Sequence, residues 1–135
     1  MTAPKPSTGA SKLGRDILCI TASVKLSTVY NAAREAAGLV KTELPRTTIE
    51  VLDSHTATAA EGFVAMAAAR AAAKGKDLAE VVDTAKDIRD RVSCAIFLDT
   101  IRHIYRSGRI PKVASQVGSA LNIKPILTIS RSSTL

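Results

Sequence analysis

The sequence predicts an α/β domain with three layers, in which helices cover both faces of a parallel sheet. Short runs of consecutive apolar residues, such as 17–20 and 94–98, are typical of strands that are buried on both faces. The longer segments between such runs repeat their apolar residues at helical spacing. Because strands that alternate with helices usually join by right-handed crossovers, we expect parallel pairing. A chain of 135 residues is long enough for one such domain.

The predicted elements follow the chain in a simple order. Strands are expected at 16–22, 48–52, 94–98 and 124–129, and helices at 27–39, 60–74, 77–92, 101–107 and 112–121. Ser27 can cap the first helix, and Gly75 can end the second in a left-handed conformation. Asp77 and Glu80 have the spacing of a capping box. Residues 1–14, rich in Pro, Ser, Thr, Gly and Lys, predict a disordered tail before a domain at 15–135.

Composition limits the classes of function. Aromatic residues make up only 3% of the chain, so the core must be built from small aliphatic side chains. The net charge is +7, but aromatic residues do not interleave with the basic ones, and nucleic-acid binding is not expected. Cys19 and Cys94 lie in apolar runs without metal-ligand spacing, which predicts buried, reduced thiols. Without a long apolar run or a secretory signal, a cytoplasmic location is expected.

Ligands of open parallel sheets bind beyond the carboxyl ends of the strands, which here selects the loops at 22–27, 53–58 and 99–100. In the first loop, a helix N-terminus and the hydroxyls of Ser23 and Ser27 favour an anion. The alternative is that Ser27 is only a cap and Ser23 only a loop residue. In the second loop, Asp53 and Ser54 can accept from backbone amides in a turn.

Catalysis has weaker support than binding. A hydrolase would need a serine, an aspartate and a histidine from these loops: Ser23 or Ser27, Asp53 or Asp99, and His55. No G-x-S-x-G elbow is present, and His55 and His103 are expected at the surface. Phosphate-loop, dinucleotide and H-x-x-x-H motifs are also missing, so we expect no enzyme activity, no cofactor and no metal.

Basic residues are densest near the C-terminal third. Arg102, Arg106 and Arg109 recur at helical spacing, and Lys112 follows. They predict either a docking surface for an acidic partner or anionic ligand head, or simply a solvated face.

Three segments of the chain resemble the DegV family of fatty-acid-binding proteins. Residues 23–30 read SVKLSTVY where the family pattern has S-S-x-L-S-G-T-Y. Residues 51–54 (VLDS) and 58–62 (TAAEG) resemble V-x-D-S and S-x-G-x-G. Residues 107–110 (SGRI) and 118–127 (GSALNIKPIL) resemble the most specific part, G-G-R-I followed by G…L-N-I-K-P-I-L. The resemblance covers residues 16–129, and Val24, Thr28, Val29 and Ala60 depart from the pattern.

The resemblance implies the N-terminal α/β domain of a two-domain lipid carrier, with the start of a truncated second domain at the C-terminal end. It assigns the carboxylate of a long-chain fatty acid to Ser23 and Ser27, and makes Arg109, Asp53 and Ser54 candidate contacts for the ligand or a partner. Such carriers present the acid to a fatty acid kinase, which forms an acyl phosphate for phospholipid synthesis. Transient contact with a membrane is also implied. The alternatives are a remnant that serves as a structural or interaction module, and a small serine-loop hydrolase.

Overall fold

The computed structural model describes residues 16–100, 102–109 and 124–129. In these ranges the chain forms β1 (Ile17–Thr21), α1 (Val29–Val40), β2 (Ile49–Asp53), α2 (Thr58–Ala73), α3 (Leu78–Arg91), β3 (Cys94–Phe97), α4 (Arg102–Arg106) and β4 (Ile126–Ile129). The predicted tail and the predicted helix at 112–121 lie outside the described residues. Among the helices that the structure describes, none combines the length and the apolar character needed to cross a bilayer.

β1 and β2 form a parallel ladder. Ile17 lies opposite Ile49 at one end of the ladder, and Thr21 lies opposite Asp53 at the other. The helix α1 packs against β2, while α2 and α3 pack against each other and against β1. The predicted α/β class, with a parallel sheet and flanking helices, is therefore confirmed. This pairing also brings the carboxyl ends of both strands to the same edge.

β3 and β4 form a second, separate ladder, and it is antiparallel. We expected these strands to be parallel, because they too are separated by helical segments. A short apolar run looks the same in either kind of ladder, so the sequence carries no signal for strand direction. Phe97 and Ile126 lie opposite each other on one face of this ladder, with 77% and 59% of their surfaces exposed. This apolar pair is uncovered in the described part of the chain.

The core lies between the parallel sheet, α2 and α3. Val64 and Ala85 are fully buried, and the remaining buried members of the cluster are Leu52, Ala68, Ala71 and Val81. Three of the six, Val64, Ala68 and Ala71, belong to the alanine-rich α2. With Ala85 of α3, three of the six are alanines, whose small side chains let the helices approach closely. Because each alanine buries little area, the few larger side chains carry most of the apolar burial.

The predicted helix boundaries at the α2–α3 junction are confirmed. Gly75 follows α2 with a φ of +81°, the left-handed conformation that glycine adopts without strain. At the start of α3, the Glu80 amide donates to Asp77 Oδ1 at 2.9 Å, and the Asp77 amide donates to Glu80 Oε2 at 3.2 Å. These reciprocal bonds form the capping box that the sequence predicts.

Candidate functional site

Two polar loops meet at the carboxyl edge of the β1–β2 ladder. We call residues 22–28, after β1, the serine loop, and residues 54–57, after β2, the second loop. The Ser54 amide donates to the carbonyl of Thr21 at 3.0 Å, and the Ser23 amide donates to the carbonyl of Thr56 at 2.8 Å. These bonds continue the ladder beyond the strands, so the two loops predicted as ligand-binding lie side by side. The third predicted loop, 99–100, follows β3 in the other ladder.

Ser23 lies at the base of the serine loop and is only 2% exposed. Its carbonyl accepts from the amides of Leu26 and Ser27 at 2.9 and 3.0 Å, so the chain turns sharply here before α1 begins. Its hydroxyl accepts from the amide of Lys25 at 3.3 Å. A serine hydroxyl that accepts a bond still has its proton to donate. Ser23 is therefore both a turn residue and a potential donor to an acceptor in the site.

Ser27 differs from its predicted role as the helix cap. The helix begins later, with Thr28 as its N-cap, and the Ser27 amide donates to the carbonyl of Ser23 in the preceding turn. The Ser27 hydroxyl nevertheless accepts from the amide of Val29, the first helical residue, at 3.3 Å. Ser27 is half-buried, so its hydroxyl lies nearer to solvent than that of Ser23.

Asp53 joins the two loops through both carboxylate oxygens. Its Oδ1 accepts from the amide of His55 at 2.8 Å, and its Oδ2 accepts from the amide of Val24 at 3.4 Å. The imidazole Nε2 of His55 lies 3.7 Å from Oδ2, beyond hydrogen-bonding distance. Since the aspartate already accepts from two backbone amides, its main role is to hold the loops together.

His55 keeps part of its side chain at the surface, as expected, but buries one imidazole nitrogen. Its side chain is 39% exposed, its backbone is left-handed with a φ of +55°, and its Nδ1 is buried without a hydrogen-bond partner among the described residues. A catalytic triad needs a hydrogen bond between the histidine and a serine. The described residues show no such bond from His55 to Ser23 or Ser27, so the hydrolase alternative gains no geometric support.

Ser54 is fully buried and its hydroxyl is used within the second loop. The hydroxyl donates to the carbonyl of Thr56 at 3.2 Å and accepts from the amide of Thr56 at 3.3 Å. This is the serine turn that the sequence predicts. Ser54 consequently shapes the loop, and its hydroxyl would have to leave Thr56 to meet a ligand.

Thr56 was missed by the sequence analysis. It is only 3% exposed, and its Oγ1 has no hydrogen-bond partner among the described residues. A threonine in a polar loop gives no sequence signal that separates an exposed hydroxyl from a buried one. Only the position of the loop, at the end of a parallel strand, pointed to this region.

Arg109 reaches the serine loop from the far end of the chain. Its Nε donates to the carbonyl of Leu26 at 3.1 Å, which brings an exposed guanidinium beside the loop that carries Ser23. A separate contact joins the start of α2 to β3, with Thr58 Oγ1 lying 3.5 Å from Cys94 Sγ. Lys112, predicted to extend the basic surface, lies outside the described residues.

Two ionisable groups have shifted pKa values, Glu61 in α2 and Cys19 in β1. Burial raises the pKa of the Glu61 carboxyl, in the first turn of α2, and also the pKa of the Cys19 thiol. A raised pKa keeps the Cys19 thiol protonated and unreactive. The sequence predicted that Cys19 and Cys94 would be buried, but both are only half-buried. In the part of the chain that the structure describes, no three His, Cys, Asp or Glu residues are grouped to hold a metal ion.

A separate cavity of about 490 Å³ lies at the opposite edge of the sheet. Asp16 and Thr48, at the amino ends of the two strands, are part of its lining together with Glu50 and Asp77. Its lining contains no residue of the serine loop or the second loop, so it is not part of the candidate site.

Comparison with known proteins agrees with the motifs and the fold. Residues 9–134 match a family model described as an uncharacterised protein of the DegV family. The DegV domain-containing protein YteA of Lactococcus lactis is 34% identical over 114 residues, which are 84% of this chain and 39% of that protein.

Solved structures give the same result. The DegV family protein Cg2579 of Corynebacterium glutamicum superimposes with a TM-score of 0.73 at 34% identity, over 83% of this chain and 40% of that one. A Thermus thermophilus DegV family protein, described as fatty-acid-binding, superimposes with a TM-score of 0.69 at 26% identity, over 84% and 39%. The chain thus spans about two fifths of the length of these relatives. By sequence and by fold, the chain belongs to the DegV family.

Proposed function

We propose that the chain binds a long-chain fatty acid by its carboxylate at the serine loop and acts as a carrier, not as an enzyme. The observation that carries this proposal is the bond from Arg109 Nε to the carbonyl of Leu26, which places a cationic group beside the loop of Ser23 and Ser27. A carboxylate prefers charged and hydroxyl donors of this kind. The fatty-acid binding described for the Thermus thermophilus relative supports the same ligand class.

In this proposal, the hydroxyls of Ser23 and Ser27 donate to the carboxylate, and Arg109 supplies its positive charge. The apolar tail begins at Val24 and Val29, which flank these serines and are 46% and 43% exposed. Covering each methylene of the tail is worth about 0.8 kcal/mol, so the affinity comes mainly from the tail and the orientation from the loop. Asp53 and Ser54 support the loop geometry through backbone bonds.

We further propose that the bound acid is presented to a fatty acid kinase in the cytoplasm, with transient contact to a membrane. The carrier would contribute no phosphoryl chemistry. The exposed side chains of Arg106 and Arg109, together with the net charge of +7, suit an acidic surface on the kinase. Charge reversal at the exposed Arg106, which is not among the proposed carboxylate contacts, would weaken kinase coupling without weakening fatty-acid binding.

The direct test is a binding titration of delipidated protein with oleate, preceded by mass spectrometry of a solvent extract of the purified protein. We expect fatty acids in the extract, tight oleate binding, and weaker binding for Ser23→Ala and Arg109→Ala. Ser93→Ala, at an exposed serine before β3, is the matched control and should bind as the unchanged protein does. Folded protein that yields no fatty acid and binds no oleate would refute the proposal.

The exposed pair of Phe97 and Ile126 favours a second candidate, an interaction module that binds no lipid. Contiguous apolar surface of this kind marks protein contacts in many soluble proteins. The extract separates the two functions, because an interaction module would be folded and free of fatty acid. Ester turnover that is lost in Ser23→Ala would instead favour the hydrolase.

A further inference from the structure

We infer that the Thr56 hydroxyl is a further donor to the ligand carboxylate, in addition to the serines of the serine loop. This inference rests on the proposed function and extends the binding site into the second loop. It adds a residue to which neither the sequence pattern nor the family resemblance assigns a role.

The first argument is the missing partner. Thr56 is 3% exposed, and its Oγ1 makes no hydrogen bond to any described residue. Burying a hydroxyl without a partner is unfavourable, and native proteins satisfy nearly all such groups with protein, water or ligand atoms. His55 Nδ1, in the adjacent residue, is also buried and unpaired. Two orphaned polar atoms in neighbouring residues indicate that this corner of the site is completed by something other than the described chain.

The second argument is position. The carbonyl of Thr56 accepts from the Ser23 amide at 2.8 Å, so its backbone is in direct contact with the residue expected to hold the carboxylate. The Ser54 hydroxyl bonds both the amide and the carbonyl of Thr56. These bonds fix the backbone of Thr56 and leave only its side-chain hydroxyl uncommitted. The backbone of Thr56 is therefore held beside Ser23 before any ligand arrives.

The third argument is chemistry. A threonine hydroxyl can donate to a carboxylate oxygen, and so can the protonated nitrogen of an imidazole. The acidic group of the corner, Asp53, already accepts from the amides of Val24 and His55. The orphaned hydroxyl of Thr56 can donate without breaking any bond of the described chain. The corner can therefore meet a carboxylate oxygen. The left-handed backbone of His55 agrees with this, since strained residues persist mainly at binding sites.

The experiment replaces only the hydroxyl. Thr56→Val keeps the shape of the side chain, and Thr56→Ser keeps the hydroxyl. Thr47→Val is the matched control, because Thr47 is also buried at 8% exposure but lies before β2, at the other edge of the sheet. Oleate affinity is measured by calorimetry on the delipidated full chain, and stability by urea unfolding. We expect Thr56→Val to bind oleate at least about tenfold more weakly, as for a lost bond to a charged group, without loss of stability. Thr56→Ser and Thr47→Val should bind nearly normally.

Two results would overturn the inference. One is unchanged oleate affinity in Thr56→Val, which would mean that the hydroxyl meets only water or nothing. The other is an equal loss of affinity in Thr47→Val, which would mean that any buried threonine has the same effect.

A second probe separates this inference from the proposed function. Octanoate is added to ¹⁵N-labelled protein, and the amide signals of Ser23 and Thr56 are followed. If the unchanged chain binds no oleate, the proposed function fails. The inference still stands if octanoate shifts these two amide signals in the unchanged protein and not in Thr56→Val. It falls if octanoate shifts neither amide signal in the unchanged protein.

Discussion

Ser54→Ala tests whether Ser54 builds the site or contacts the ligand. The substitution removes a fully buried hydroxyl that donates to the carbonyl of Thr56 and accepts from its amide, at 3.2 and 3.3 Å. The backbone bond from Ser54 to Thr21 remains. A typical hydrogen bond contributes about 0.5–1.5 kcal/mol net, so losing two should cost about 1–3 kcal/mol of unfolding free energy. A loss in the middle of that range would shift the folding equilibrium more than tenfold.

Urea unfolding followed by circular dichroism measures this loss. The control is Ser93→Ala, at an exposed serine, which should change the unfolding free energy by less than about 0.5 kcal/mol. The urea dependence should be equal in the two variants, because neither changes the area that unfolding exposes. If Ser54→Ala is as stable as Ser93→Ala, the two bonds to Thr56 do not stabilise the loop. A normally stable Ser54→Ala with weak oleate binding would instead make Ser54 a direct ligand contact.

Three further predictions concern the core, a helix cap and pH. Val64→Ala should lower the free energy of unfolding in urea by about 2–3 kcal/mol, because it removes two buried carbons and leaves a cavity. Phe63→Ala, at a residue 55% exposed on the same helix, should lower it clearly less. Equal losses would contradict the core assignment. Asp77→Ala should cost about 1 kcal/mol and speed amide exchange in the first turn of α3, and an unchanged exchange rate there would contradict the capping box. Burial raises the pKa of Glu61, so the folded state holds this proton more tightly than the unfolded state. The stability of the unchanged protein should therefore fall as pH rises from the unfolded pKa through the folded one. Compared with the unchanged protein, Glu61→Gln should be more stable at pH 7 than at pH 4. If the carboxyl is solvated, the variant should show no such pH-dependent gain.

The sequence predicted most of what depends on local pattern. Apolar runs located the strands, and the spacing of Asp77 and Glu80 identified the capping box. Parallel pairing of β1 with β2 also predicted that the loops after them would meet, as Ser23 and Thr56 do. These features follow from neighbouring residues or from the general geometry of α/β sheets.

What the sequence did not predict depends on contacts between distant segments. The antiparallel pairing of β3 with β4 is set by how the chain returns, and not by the apolar run at Cys94–Phe97. The turn at Ser23, which precedes the start of α1, was also not predicted. The buried state of Thr56 arises only when the two loops pack together. The motif that made Arg109 a candidate site residue was informative because the resemblance, unlike periodicity, carries tertiary information, and Arg109 does contact the serine loop.

The uncovered face of Phe97 and Ile126 has a consequence for handling the purified protein. Two copies that meet through this face would gain apolar contact, while the net charge of +7 on each copy keeps them apart in dilute buffer. Added salt shortens the range of that repulsion to about 10 Å at 0.1 M and leaves the apolar attraction in place. Self-association should therefore increase with ionic strength, the opposite of what a purely electrostatic contact would do.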